Sequence, residues 1–221
     1  MIKLFVWDFH GTLEKGNENA SREITNNVLA KNRYKQRLTK QESIKLYGNK
    51  WYKYFEYLLP QEPHDTHVRL QAESFEWPQA EVIVAKYLQP NDYAIEVIET
   101  IRAKGHAQVL LSNTTTNALP IFIRLAGLSD YFNSHNAIAI SAHSRDVTTT
   151  KMEVLEKYRK TNGLSKHNLI IIGDSLKDME LATLKQAKGY YYRHPGLIRE
   201  KVLPINVRPI NDLRAVLDEL K

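Results

Sequence analysis

Short apolar segments that end in polar residues alternate with helical patterns along most of this chain. The apolar segments are residues 2–8, 107–112, 137–140, 168–173 and 189–193. The stretches between them carry apolar residues at helical spacing, and each ends at a glycine. Short buried strands that alternate with helices favour a doubly wound parallel sheet of the Rossmann-like α/β class. In such a sheet, ligands bind beyond the carboxyl ends of the strands.

Residues 15–92 interrupt this alternation. They contain no convincing strand and are rich in helix formers and aromatic residues. We therefore predict a core formed by residues 1–14 and 93–221, and an inserted helical domain formed by residues 15–92.

The basic excess of the chain is confined to one part of this insertion. The formal net charge of the 221 residues is +6, and residues 15–50 alone carry nine Lys and Arg against three Glu. We interpret this segment first as a solvated helical face. A surface that attracts anionic substrates and a patch that binds nucleic acid are the two alternatives.

Several classes of protein are excluded by what the sequence lacks. It contains no cysteine, which excludes disulfides, thiolate metal sites and a cysteine nucleophile. No apolar run approaches the length of about 18 residues that a transmembrane helix needs. The apolar run 4–7 is too short for the core of a signal peptide. The expectation is a cytoplasmic protein without a membrane partner.

Polar residues stand where the predicted strands end or where a helix begins. Because the carboxyl ends of parallel strands meet at one edge of the sheet, we expect these side chains to surround one cavity. Three neighbouring carboxylates repel one another unless a cation joins them, and oxygen ligands beside a phosphate suit Mg²⁺. The pattern therefore predicts a magnesium and phosphate site. Its residues are Asp8, Ser112, Lys151, Asp174 and Asp178.

These residues resemble the motifs of the haloacid dehalogenase superfamily, most of whose members are phosphatases. FVWDFHGTL at 5–13 is similar to its apolar strand ending in Asp-x-Asp-Gly-Thr, and VLLSN at 109–113 to its second motif. Lys151 matches the third motif, and IIIGDSLKD at 170–178 matches the fourth. The resemblance covers the whole chain, and the insertion falls where one class of the family carries a helical cap.

The resemblance implies Mg²⁺-dependent hydrolysis of a phosphomonoester through an aspartyl-phosphate. Asp8 would be the nucleophile, which splits hydrolysis into two steps. Mg²⁺ would be held by Asp8, Asp174 and the backbone carbonyl of His10. Asp178 would orient a water on the metal from behind these ligands.

The resemblance also implies how the phosphoryl group is bound. Ser112 would donate a hydrogen bond to a phosphoryl oxygen, and Lys151 would supply fixed positive charge. Thr12 and Asn113 would support the same pocket. A cap that closes over the site favours small metabolites such as sugar phosphates, phosphoglycolate or nucleoside monophosphates as substrates. Whether the protein is a monomer or a homodimer stays open.

His10 is the position at which the chain departs from the family pattern. The family's phosphatases have there a second Asp, which protonates the leaving oxygen and later activates water. A histidine can do such work at neutral pH, but a ring that only fills the space and a loss of activity are alternatives. Two other functions follow from this uncertainty and from the basic segment. They are a phosphate-binding regulatory relative and a phosphatase acting on nucleic-acid ends.

Overall fold

The chain folds into two compact units. The computed structural model describes residues 1–140, 147–194 and 202–221. One unit consists of Met1–Glu14 with Pro90–Lys221, and the other of Lys15–Gln89. Residues 90–92 thus belong with the first unit, three positions earlier than the sequence pattern suggested.

A parallel sheet of six strands forms the centre of the first unit. Its strand order is β5-β4-β1-β6-β7-β8, with β2 and β3 in a separate two-stranded sheet, and every neighbouring pair described in it is parallel. The Rossmann-like α/β class predicted from the sequence is confirmed. The strands are β1 (Leu4–Trp7), β2 (Glu14–Lys15), β3 (Gln89–Pro90), β4 (Ala107–Ser112), β5 (Ala137–Ala139), β6 (Leu169–Gly173), β7 (Lys188–Tyr192) and β8 (Val207–Ile210).

The helices are shared between the two units. The first five lie in Lys15–Gln89, and the other four, with a 3₁₀ helix at Leu213–Leu220, lie in the first unit. Within the described residues, none has both the length and the apolar character needed to span a bilayer. The helices are α1 (Asn17–Lys31), α2 (Lys40–Leu46), α3 (Tyr52–Leu58), α4 (His64–Phe75), α5 (Ala80–Tyr87), α6 (Ala94–Ala103), α7 (Ala118–Leu125), α8 (Val147–Thr161) and α9 (Leu176–Leu184).

The central strands are apolar because both faces of the sheet are covered. All four residues of β1 and all five of β6 are buried. Burial of one large apolar side chain contributes about 1.5–3 kcal/mol to the stability of the fold, so β1 and β6 stabilise the centre of the sheet. Trp7 pairs in register with Leu110 of β4 and Ile172 of β6. The carboxyl ends of these three strands therefore lie side by side.

The helical unit has a small aromatic core of its own. Tyr54 and Phe55 are buried, and Trp51 packs edge-to-face on Phe75 at 5.4 Å between ring centroids. Near the start of the unit lies Gly16, whose φ of 98° is in the left-handed region. A Cβ at that position would lie 2.1 Å from the carbonyl oxygen of Tyr87, so only glycine fits there.

Candidate active site

Asp8 stands at the first residue after β1, where the chain turns sharply. Its backbone N–H donates to the carbonyl of Ile172 at 2.9 Å, which ties it to the end of β6. The next residues curl around one carbonyl, because the N–H groups of Thr12 and Leu13 both donate to the Phe9 oxygen, at 3.2 and 3.0 Å. Gly11 takes a φ of 78° within this turn. The turn keeps Asp8 at the sheet edge while the chain reverses.

Lys151 joins two of the predicted carboxylates. It lies in α8 and its Nζ is 2.8 Å from Asp8 Oδ1 and 2.7 Å from Asp178 Oδ1. The exposed fractions of the three side chains are 4% for Lys151, 11% for Asp8 and 4% for Asp178. Such a charge cluster, almost removed from water, holds its members in fixed positions.

Burial and charge act in opposite directions on these groups. Burial raises the pKa of Asp8 to about 6, although the Lys151 ammonium opposes the rise. Burial alone would lower the pKa of Lys151, but the carboxylates of Asp178 and Asp8 raise it well above its usual range. Lys151 is therefore a permanent cation. Asp8 is therefore a poorly solvated carboxylate near neutral pH, and such a group can act as a nucleophile.

Three carboxylates converge at the edge of the sheet where the strands end. Oxygens of Asp8, Asp174 and Asp178 all lie within 4.8 Å of one another, and no other such group of acids or histidines occurs within the described residues. Asp178 packs over Gly173, where an added Cβ would lie 2.5 Å from its Cγ. Ser175 is the N-cap of α9 and accepts a hydrogen bond from the Asp178 N–H at 3.3 Å. An all-oxygen cluster of this kind fits Mg²⁺.

Two buried hydroxyls lie on the turn after β1 and at the end of β4. Thr12 and Ser112 are fully buried, and their hydroxyl oxygens have no hydrogen-bond partner among the described residues. A buried hydroxyl without a hydrogen-bond partner is costly. These two hydroxyls can therefore donate hydrogen bonds to the oxygens of a bound ligand. Asn91 accepts from Tyr192 and donates to the Thr12 carbonyl at 2.8 Å. Asn113 follows Ser112 and is exposed.

The side chain of His10 contacts two residues that lie outside the predicted site, Glu14 and Phe122. Its Nδ1 lies 3.0 Å from Oε1 of Glu14, a fully buried carboxylate. The imidazole also packs edge-to-face on Phe122 of α7, at 4.9 Å and 87°. Glu14 could have been found from its spacing alone, because it follows four residues after the histidine that replaces the usual Asp. Phe122 gave no signal, because its contact depends on the packing of α7.

Comparisons with known proteins identify a matching family. The profile of a family described as haloacid dehalogenase-like hydrolase matches residues 5–188, most of the chain. A search of curated proteins finds no match.

Solved structures share the fold at low sequence identity. A haloacid dehalogenase-like hydrolase from Bacteroides fragilis has a TM-score of 0.74 at 15% identity, over 98% of this chain and 100% of that one. CbbY from Rhodobacter sphaeroides, in complex with phosphate, has a TM-score of 0.72 at 13% identity, over 96% and 95%. A predicted phosphoglycolate phosphatase from Haemophilus somnus has a TM-score of 0.71 at 14% identity, over 87% and 86%. At these identities the likeness establishes the fold.

Proposed function

The chain belongs to the haloacid dehalogenase-like hydrolase family, and on that basis we propose that it hydrolyses a small phosphomonoester with Mg²⁺ as cofactor. One observation carries the proposal: Asp8 directly follows the central strand β1, and the Lys151 ammonium lies 2.8 Å from its Oδ1. The phosphate in the CbbY complex and the description of the Haemophilus somnus protein support a phosphate ester as substrate.

Asp8 acts as the nucleophile in two steps. Its carboxylate oxygen attacks phosphorus, the bond from phosphorus to the ester oxygen breaks, and an aspartyl-phosphate forms. Water then attacks the same phosphorus, which releases inorganic phosphate and restores the Asp8 carboxylate. Lys151 stabilises the negative charge on the phosphoryl oxygens in both steps. The Ser112 and Thr12 hydroxyls, which have no hydrogen-bond partner in the described part of the chain, donate to those oxygens.

The metal would be held by carboxylates at the carboxyl ends of the strands. Asp8 and Asp174, with the backbone carbonyl of His10, are the proposed ligands, and Asp178, which is bonded to Lys151, would orient a water on the metal. When bound, Mg²⁺ offsets the charge of the phosphate and of the carboxylates, so that an anion can approach an anion.

His10 serves the leaving group and the water. In the first step it gives a proton to the departing ester oxygen, and in the second it takes one from the attacking water. The side chain keeps 21% of its surface exposed, so it is accessible to a ligand. This role is the one that the family's second Asp performs.

The helical unit is proposed as a cap that selects small substrates. Residues 15–89 contain the five helices α1–α5, inserted directly after the Asp8 turn. A cap that closes over the site excludes water and supplies contacts to the rest of the substrate. Small phosphorylated metabolites are therefore the favoured class.

The test is release of inorganic phosphate from a panel of phosphorylated metabolites and one aryl phosphate. We expect release with Mg²⁺, none after EDTA treatment, and recovery when Mg²⁺ is returned in excess. Unchanged rates in EDTA would remove the metal from the mechanism. No release from any substrate, with phosphate nevertheless bound, would make the protein a phosphate-binding relative. Release only from nucleic-acid ends, with binding that weakens steeply with salt, would favour an end phosphatase.

A further inference from the structure

A carboxylate without exposure to water lies against the side chain at which this chain departs from its family. Glu14 is fully buried, and burial of a carboxylate is costly unless hydrogen bonds satisfy it. Its Oε1 accepts from the Gly11 N–H at 3.2 Å and lies 3.0 Å from His10 Nδ1. Both contacts are to the turn that follows Asp8, so the carboxylate is part of the site's own architecture.

The contact with Glu14 favours one position for the proton of the neutral imidazole. An ionised carboxylate only accepts hydrogen bonds, so a hydrogen bond across this 3.0 Å contact needs Nδ1–H of His10 as its donor. Proton exchange with a ligand is then left to Nε2, the other ring nitrogen.

Two aromatic rings complete the support of the imidazole. Phe122 packs on it edge-to-face at 4.9 Å and 87°, and Phe9 does so at 5.0 Å and 79°. The contact with Glu14 and these two ring contacts restrict rotation of the side chain. A proton donor held in one orientation is what transfer to a leaving oxygen requires.

We propose that Glu14 is a positioning residue that holds His10 with its proton on Nδ1, so that Nε2 exchanges protons with leaving group and water. The inference rests on the proposed function, since it needs His10 to act as the acid and base. In the first step the proton on Nε2 moves to the ester oxygen, giving the free alcohol. In the second, Nε2 takes a proton from water as the water oxygen bonds to phosphorus.

The tautomer can be measured without any activity. In a ¹H–¹⁵N correlation spectrum of the histidine rings, the His10 signals are those that disappear in His10→Ala. We expect the neutral ring of the natural protein to carry its proton on Nδ1, and Glu14→Leu, which removes the acceptor, to shift the population towards Nε2. A proton on Nε2 in the natural protein, or an unchanged spectrum in folded Glu14→Leu, would overturn the inference.

Rates with two classes of substrate supply the second readout. Glu14→Leu should lower the rate on an alkyl phosphate about 10²-fold and the rate on an aryl phosphate much less, because a phenolate leaves without a proton. Glu14→Gln keeps an acceptor and should recover part of the loss. The double variant His10→Ala/Glu14→Leu should be no slower than His10→Ala, since both changes remove one function.

A matched control separates this role from loss of stability. Glu219 is another buried carboxylate of the same unit, bonded to Lys188 and Tyr190, and Glu219→Gln should lower stability without changing the alkyl-to-aryl rate ratio. If His10→Ala changes that ratio and the folded Glu14 variants do not, only the inference on Glu14 fails. If His10→Ala leaves the ratio unchanged, the acid and base role fails and takes this inference with it.

Discussion

The Lys151 ammonium lies 2.8 Å from the Asp8 carboxylate although 143 positions separate the two residues in the chain. Asp8 follows the central strand β1, and Lys151 is held in α8, so the pair exists only when the sheet and its helices have assembled. The same ammonium bonds Asp178 in α9 at 2.7 Å. One cation therefore organises both carboxylates, and the first prediction concerns its removal.

Lys151→Met should impair catalysis and stability together. Loss of the charge that stabilises the phosphoryl oxygens should lower kcat by about 10²- to 10³-fold. The two carboxylates left without their cation should lower the free energy of unfolding of the metal-free protein by about 3–5 kcal/mol. Phosphate release and urea unfolding measure the two effects. A variant with normal kcat would contradict the assigned role of Lys151.

Gly173→Ala should weaken the metal site. The new Cβ would lie 2.5 Å from Cγ of Asp178, so the carboxylate must move and Mg²⁺ affinity, measured by calorimetric titration, should fall. Gly189→Ala is the control, because its Cβ would meet Val207 at 2.9 Å, near the start of β7. Both substitutions should cost about 1–3 kcal/mol of stability. Equal Mg²⁺ affinities in the two variants would argue against Asp178 as part of the site.

Glu156 should make a pH-dependent contribution to stability. Its carboxylate bonds Arg159 and Lys185, both at 2.9 Å, and thereby links α8 to the end of α9. These hydrogen bonds, that from Arg159 first, lower the pKa of Glu156 to about 2. A lowered carboxyl pKa stabilises the fold above the ordinary value of 4.5, and the contribution is lost as pH falls towards 2. Glu156→Gln should therefore be less stable by about 0.5–1 kcal/mol at pH near 7, a modest figure because the pair is partly exposed. In urea titrations the difference from the natural protein should narrow below pH about 4; a difference that is constant with pH would contradict the pKa shift.

Replacement of residues 15–89 by a short linker should leave a folded core. The Asn91 N–H donates to the Leu13 carbonyl at 2.9 Å, so the chain ends left by the deletion lie next to each other and a few residues can join them. If the helical unit selects substrates, the shortened protein should discriminate less among metabolites while it retains activity on an aryl phosphate. Undiminished selectivity would assign the substrate contacts to the core.

The site residues at the ends of strands could be predicted from the sequence, whereas contacts that depend on helix packing could not. Asp8, Ser112 and Asp174 each follow a strongly apolar run, and parallel pairing brings such ends together whatever the details of the helices. Phe122 contacts His10 only because α7 packs where it does, which no local pattern encodes.

The last strand illustrates a second limit. The sequence pattern does not predict β8 (Val207–Ile210). This strand is short, contains Pro209 and buries only its two end residues. A proline is tolerated there because β8 is an edge strand, where a missing N–H interrupts no ladder. Its place in the sheet depends on pairing with β7 and leaves little trace in the sequence itself.

The central claim is that Asp8 carries the phosphoryl group during turnover. Acid quenching with substrate and Mg²⁺ present, followed by borohydride reduction, converts an aspartyl-phosphate into homoserine, which peptide mass spectrometry locates. We predict homoserine at position 8 in the natural protein only when substrate is present, and none in Asp8→Asn, whose phosphate release should fall by several orders of magnitude. Phosphate release with Asp8 unmodified, or near-normal turnover by Asp8→Asn, would contradict the account.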